Sequence, residues 1–182
     1  MYLSFDDGPH PEITLWVLEE LRKYGAEATF FCVGNNVELH EGVYRKIVED
    51  GHAVGNHTYH HLNGWKTPDD TYLDDVAKAC QLIRSNLFRP PYGRIRRKQA
   101  KKIPLVMGDP DARVVMWDVL SADFDQTISP ARCLQNVVSH ASEGSVVVFH
   151  DSEKAERNLR HSLPGTLKVL SGKGFSFKKI EL

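Results

Sequence analysis

Short runs rich in β-branched and aromatic residues alternate along this chain with longer stretches whose apolar positions recur every three or four residues. Residues 2–6, 28–33, 53–57, 87–89, 114–118, 145–150 and 175–180 read as seven strands. Between them, 12–24 places Ile13, Trp16, Val17 and Leu21 on one face and stops at Gly25, a residue suited to a left-handed helix cap; 37–50 stops in the same way at Gly51. Segment 69–86 opens with acids at the positive end of a helix dipole and repeats Leu73, Val76, Cys80 and Ile83. Segment 131–141 sets Leu134, Val137 and Val138 on one face, and 163–170 completes the series of helices.

Strand and helix in strict alternation predict a parallel sheet covered by helices, either open and doubly wound or closed into a barrel. Both architectures put their chemistry at the carboxyl ends of the strands. Five of the predicted strands end in a cluster of chemically capable side chains.

At 182 residues the chain is expected to form one domain spanning 1–182, and its 41% hydrophobic and 26% charged content is that of an ordinary globular protein. A formal net charge of -1 gives no overall basic field, so no nucleic-acid partner is expected. The local cluster Arg94, Arg96, Arg97, Lys98, Lys101 and Lys102 reads as a solvated helix face, with a cationic rim facing an acidic polymer as the alternative. Cys32, Cys80 and Cys133 lie far apart among apolar residues and read as core thiols, not as a disulfide framework. No apolar run reaches the roughly 20 residues of a membrane span, and the first residues lack the order of a signal peptide. Met1 precedes a carboxylate pair by so little that a fragment with its leader removed is expected.

The first strand delivers Asp6 and Asp7, cut off by Gly8 and Pro9. Adjacent carboxylates repel, so a cation is needed to hold one ionised while the other serves as a base. Taken alone, the tetrapeptide reads as a solvated turn. The third strand ends in His57, followed by His60 and His61; two imidazoles four apart can meet one metal from a single helical turn, and with a carboxylate they make an open zinc set. Spacing alone leaves His60 and His61 both eligible.

Arg89-Pro90-Pro91-Tyr92-Gly93 is a rigid exit from the fourth strand, with a permanent cation for a carboxylate and the Tyr92 and Gly93 amides left to face a ligand. The fifth strand runs into Trp117-Asp118, with Asp123-Phe124 shortly after, an acid beside an aromatic wall. The sixth, Val146 to Phe149, reads as buried on both faces, so His150 is the first polar side chain at its mouth. There it is eligible as ligand or general acid, with a neighbouring carboxylate raising its pKa.

These segments, in this order, resemble the polysaccharide deacetylase family, the NodB-homology domain of carbohydrate esterase family 4. Ser4-Phe5-Asp6-Asp7-Gly8-Pro9 is similar to its Thr-Phe-Asp-Asp-Gly-Pro motif, His57 to His61 to its His-Ser/Thr-x-x-His motif, Arg89-Pro90-Pro91-Tyr92 to its third, and Val148-Phe149-His150-Asp151 to its fifth. The resemblance implies a distorted barrel of about seven β/α units and hydrolysis of N-acetyl groups on N-acetylglucosamine glycans. It also implies a divalent metal, Zn2+ first with Co2+, Ni2+ or Mn2+ as alternatives, and a location outside the cytoplasm or in the cell envelope. By the same carry-over Asp6 is the general base, Asp7, His57 and His61 are the metal ligands, and His150 is the general acid. Arg89 pairs with Asp6, Tyr92 lends its amide to the oxyanion, Asp123 tunes His150, and His60 is a bystander. The fourth motif departs most: Leu120 stands where an acid is usual, Phe124 replaces a tryptophan, and Asp118 is displaced by two positions. Hydrolysis of a small non-sugar amide or cyclic imide, and a carbohydrate-binding pseudoenzyme, are the competing expectations. No protein partner is implied.

Overall fold

A computed structural model describes residues 1–181 of the chain. Seven parallel strands form one curled sheet in the order β5-β4-β3-β2-β1-β7-β6. They are β1 (Tyr2–Asp6), β2 (Ala28–Cys32), β3 (Ala53–Asn56), β4 (Leu87–Phe88), β5 (Arg113–Val114), β6 (Val119–Leu120) and β7 (Val146–His150). Seven α-helices accompany them: α1 (Ile13–Arg22), α2 (Gly34–Leu39), α3 (Glu41–Glu49), α4 (Asp69–Cys80), α5 (Arg97–Met107), α6 (Pro130–His140) and α7 (Glu156–Gly172). The result is a distorted (β/α) barrel whose terminal strands β5 and β6 do not pair.

The period of two along each strand divides the sheet into two faces. Leu3, Phe5, Phe30 and Phe149 point outward under α1 and α7 in the main core. The register sets Phe5 opposite Phe30 and Phe149, and the rings stack at 5.0 and 5.9 Å between centroids. On the concave face Tyr2, Phe31, Ala53, Leu87 and Val146 share a second cluster with Val115 and Ile180, a grouping of side chains from five strands. Above it, Ser4 and Asp6 continue the concave row of β1 toward the carboxyl ends.

Strand count agrees with expectation, but two of the seven strands differ. The run 114–118 is not one strand: its start joins β5, and the chain then crosses the open side of the barrel before entering β6. Segment 175–180 makes only a single bridge, Lys178 to Tyr2. It crosses the base of the sheet: Phe177 is buried in the outer core, Ile180 joins the concave cluster, and the Ile180 N–H donates to the Thr29 hydroxyl at 2.8 Å. Alternating apolar residues therefore serve two separate cores.

Among the helices, 37–50 is interrupted at His40, and α4 ends at Cys80, six residues before the expected limit. Helix α7 extends to both sides of the expected 163–170, carrying Pro164 inside it. The basic cluster lies partly on α5, with Arg97, Lys98, Lys101 and Lys102 on its exposed side. Gly25 and Gly51 have φ of 57° and 88°, the left-handed caps their positions called for.

Candidate active site

At the carboxyl ends of β1, β3, β4 and β7 a cavity of about 400 Å³ is lined by Asp6, Asp7, His57, His61, Tyr92 and His150, with Trp117, Leu120 and Phe124 as its apolar wall. Six of the eight expected site residues line this space themselves; Arg89 and Asp123 reach it through their partners Asp6 and His150.

Asp6 closes β1, and the register places it beside His150 of β7. Its Oδ1 accepts from Arg89 Nη1 at 2.7 Å, while Oδ2 has no protein partner among the described residues. Arg89 is fully buried. Its guanidinium also donates to the Ser4 hydroxyl and to the carbonyls of Val115 and Met116, and it lies 3.9 Å over the Phe31 ring. A buried cation with this many acceptors is held in place and fixes the carboxylate with it.

One residue on, the chain turns sharply, with Asp7 at φ 83°. Gly8 donates its N–H to Asp151 Oδ1 at 3.0 Å, and the other Asp151 oxygen takes the Thr14 hydroxyl. A Cβ on Gly8 would stand 2.1 Å from Asp151 Oδ2, so only glycine fits against this clamp. Burial pushes the Asp151 carboxyl up to about 7, opposed by the Thr14 hydrogen bond and assisted by the charge of Asp7.

Asp7 Oδ1 lies 3.1 Å from His61 Nε2 and 3.8 Å from His57 Nε2. One donor atom from each of the three residues falls within 4.8 Å of the others. Burial alone would raise the Asp7 carboxyl, but the hydrogen bond with His61 and the charges of His150, His57 and His61 outweigh it and hold Asp7 well below the usual carboxylate range. His57 is driven down to about 4, by burial first, against the pull of Asp6. It is therefore a neutral imidazole, donating its Nδ1–H to the Arg89 carbonyl at 2.7 Å and turning Nε2 toward Asp7. A carboxylate and two neutral-capable imidazoles, each oriented by a partner on its other ring nitrogen, fit a divalent cation of zinc type.

The segment carrying the two histidines is not the helical turn that their spacing suggested. Thr58 and His61 have φ of 62° and 56°. The Thr58 N–H donates to Asn56 Oδ1, and Asp75 Oδ2 accepts the N–H groups of both Tyr59 and His60. These bonds shape a loop that turns His61 inward and His60 outward, where Asp75 takes its ring Nδ1. His60 therefore lies outside the cluster.

Tyr92 sits at φ 61° with its ring packed edge-on against His61 and its hydroxyl 3.2 Å from His61 Nδ1. The Gly93 N–H is spent on the Pro90 carbonyl at 3.0 Å; the Tyr92 N–H has no acceptor among the described residues. Of the two amides expected to face a ligand, only Tyr92's is available.

His150 receives Asp123 twice, at its backbone N–H and at ring Nδ1. Burial lowers its pKa, but the Asp123 hydrogen bond and charge, with Asp7 and Asp6 behind them, more than reverse this and lift it to about 9. Phe124 meets its ring edge-on at 5.0 Å. Asp118, displaced by two positions in the fourth motif, does not line the cavity. It lies at the amino end of β6, where its Oδ2 accepts the Val146 N–H at 2.9 Å, so it braces the base of the sheet away from the cavity. Leu120 and Phe124 keep an apolar wall despite the altered fourth motif.

Three contributors gave little sign in the sequence. Ser4, an inward polar position on β1, supports Arg89; the Asp151 clamp and the Asp75 brace depend on residues brought together from distant segments.

A family profile described as polysaccharide deacetylase matches residues 1–106. A peptidoglycan-N-acetylglucosamine deacetylase of Bacillus cereus is 32% identical over 82% of this chain and 55% of its own length. The peptidoglycan-N-acetylglucosamine deacetylase PgdA of Listeria monocytogenes is 29% identical over 98% of this chain and 37% of its own. The chain thus spans about half or less of the length of these curated relatives. Among solved structures, a peptidoglycan N-acetylglucosamine deacetylase in complex with 4-naphthalen-1-yl-N-oxidanyl-benzamide superposes with a TM-score of 0.89 at 28% identity, covering 98% of this chain and 85% of that one. Fold, profile and sequence likeness agree: the chain belongs to the polysaccharide deacetylase family, carbohydrate esterase family 4.

Proposed function

We propose that the chain is a catalytic domain that hydrolyses the N-acetyl group of N-acetylglucosamine-containing glycans, of peptidoglycan or chitin type, and releases acetate. The observation that carries this reading is the meeting of a base candidate, a three-residue ligand set and a protonated histidine on one cavity. The substrates named for the relatives point the same way, to a polymer outside the cytoplasm. Among the described residues no helix is long and apolar enough to cross a membrane.

Asp7, His57 and His61 would hold the cation, zinc by the softness of two imidazoles beside one carboxylate. Such an ion supplies Lewis acidity, acidifying water and polarising a carbonyl. Asp6, held in place by Arg89, takes the proton of the attacking water through its unpartnered Oδ2. The Tyr92 N–H donates to the oxyanion as the carbonyl carbon becomes tetrahedral, a contribution of about 3 kcal/mol for a single such donor. His150 then gives its proton to the sugar nitrogen, because an amide does not expel an unprotonated amine. Trp117, Leu120 and Phe124 keep the acetyl methyl and the reacting carbonyl out of bulk water.

The test is acetate release from an N-acetylglucosamine oligomer by chelator-treated protein, with and without added zinc. Release only with zinc is expected. Release unaffected by chelation sinks the metal role; no release in either case favours an amide or imide of another kind, or binding without turnover.

A further inference from the structure

Beside the active-site cavity lies a second, more open one of about 660 Å³, lined by Asn63, Trp65, Lys66, Tyr92 and Arg94. Tyr92 borders both, so the two cavities are neighbours on either side of its side chain. Nothing in the chemistry above uses the four other residues.

The second cavity is built with more order than a surface loop requires. The Gly64 N–H donates to the Arg94 carbonyl at 3.1 Å, and a Cβ on Gly64 would lie 2.5 Å from that oxygen, so the loop after β3 and the loop after β4 are in direct contact. Gln99 donates to the Gly64 carbonyl. Arg96 donates to the carbonyls of Trp65 and Thr67 and pairs with Asp69. The Trp65 indole N–H is tied to the Ile95 carbonyl at 3.1 Å, yet the residue remains 53% exposed. Arg94 rests its guanidinium 4.2 Å from the Trp65 ring centroid. A fixed aromatic with an open surface suits a sugar ring.

The charge of this second cavity is one-sided. No acidic side chain lines it, and neither Lys66 nor Arg94 has a carboxylate partner among the described residues; Asp69 is already taken by Arg96 and Gln99. Two uncompensated cations flank an exposed tryptophan, on a chain whose net charge is -1. Stacking on Arg94 limits the rotamers that its guanidinium would otherwise lose on binding an anion.

We propose that Trp65, Lys66 and Arg94 form a subsite for a carboxylate-bearing sugar next to the acetylated sugar in the active cavity, so that the chain selects an acidic, peptidoglycan-like strand over a neutral chitin-like one. This rests on the deacetylase reading of the neighbouring site and narrows its substrate.

The experiment uses three four-sugar probes: alternating N-acetylglucosamine and N-acetylmuramic acid with free lactyl carboxylates, the same strand with those carboxylates amidated, and an N-acetylglucosamine tetramer. Acetate release and equilibrium binding are measured separately for the zinc-loaded parent chain, Lys66→Gln, Arg94→Gln and the double variant. The parent is expected to prefer the acidic strand over its amidated form. Each substitution should reduce that preference by about threefold to fivefold and the pair by about tenfold, the effect shrinking as salt is raised. Trp65→Ala is expected to weaken binding of the acidic and amidated strands alike. Equal handling of acidic and amidated strands by the parent overturns the inference, as does a preference that survives in the double variant. If no probe is turned over but selective binding is present and lost in the double variant, the subsite stands and the hydrolase reading falls.

Discussion

Asp123 grips His150 at two points, accepting its backbone N–H on Oδ2 and meeting its ring Nδ1 with Oδ1, each at 2.8 Å. The contact fixes the ring, turns Nε2–H toward the cavity and supplies the charge that lifts the pKa to about 9. A histidine raised in this way keeps its proton below that value and gives it up as pH rises through it, so kcat is expected to fall on the alkaline side. Asp123→Asn should move the alkaline limb down toward 6.5 and lower kcat at neutral pH by about 10 to 100-fold. A pH–rate profile whose alkaline limb does not move contradicts the assignment.

The ligands and the proton carriers should separate cleanly by substitution. Asp6→Asn and His150→Ala are expected to abolish turnover while zinc stays bound, whereas His57→Ala loses the metal. Zinc per chain, measured beside acetate release, checks both halves. Parent-like turnover in either of the first two refutes the roles given to Asp6 and His150.

Arg89 carries a structural consequence as well. Removing the charge of Asp6 leaves a guanidinium buried without its anion, while removing Arg89 leaves the Asp6 carboxylate and two carbonyls without their donor. Arg89→Met should cost about 3 to 5 kcal/mol of stability, with part recovered in the double variant Asp6→Asn/Arg89→Met. Denaturant unfolding of the four species gives the coupling; strict additivity would mean that the pair is not an energetic unit.

Gly8→Ala tests the turn that carries Asp7. Its Cβ falls within 2.7 Å of all three terminal atoms of the Asp151 carboxylate, so the turn must shift. Zinc affinity is expected to drop by about 10 to 100-fold, the range seen when groups that orient a ligand are removed. A variant with parent zinc affinity would show that Asp7 does not depend on this clamp.

Much of the site was legible because its residues follow strand ends directly. Asp6, His57, Arg89 and His150 are each within one residue of where a β-rich run stops, and such a run can be read from local pattern alone. The loop between Asn56 and Leu62 was not, since its shape comes from Asp75, a helix residue whose partners are set by tertiary packing. The same limit governs 175–180. Phe177 and Ile180 alternate as a strand would, but they serve different cores, and no local period records which neighbour each side chain meets. The basic run on α5 reads as a solvated helix face, but the limits of that helix are not legible, because Pro104 and four exposed cations mask its thin apolar stripe.

The sheet ends at β5 on one side and β6 on the other, and the connection between them passes over the gap with the Val115 and Met116 carbonyls bonded to Arg89. Arg89 thus performs part of the work that a closing strand would do in a complete barrel. Under the proposed function its tolerance to substitution is set twice over, by the reaction and by the architecture, and the second constraint does not lapse when the first does. A descendant of this chain that had abandoned hydrolysis would be free to lose Asp7 or His61 by drift, yet would be expected to retain Arg89 as a relic of closure.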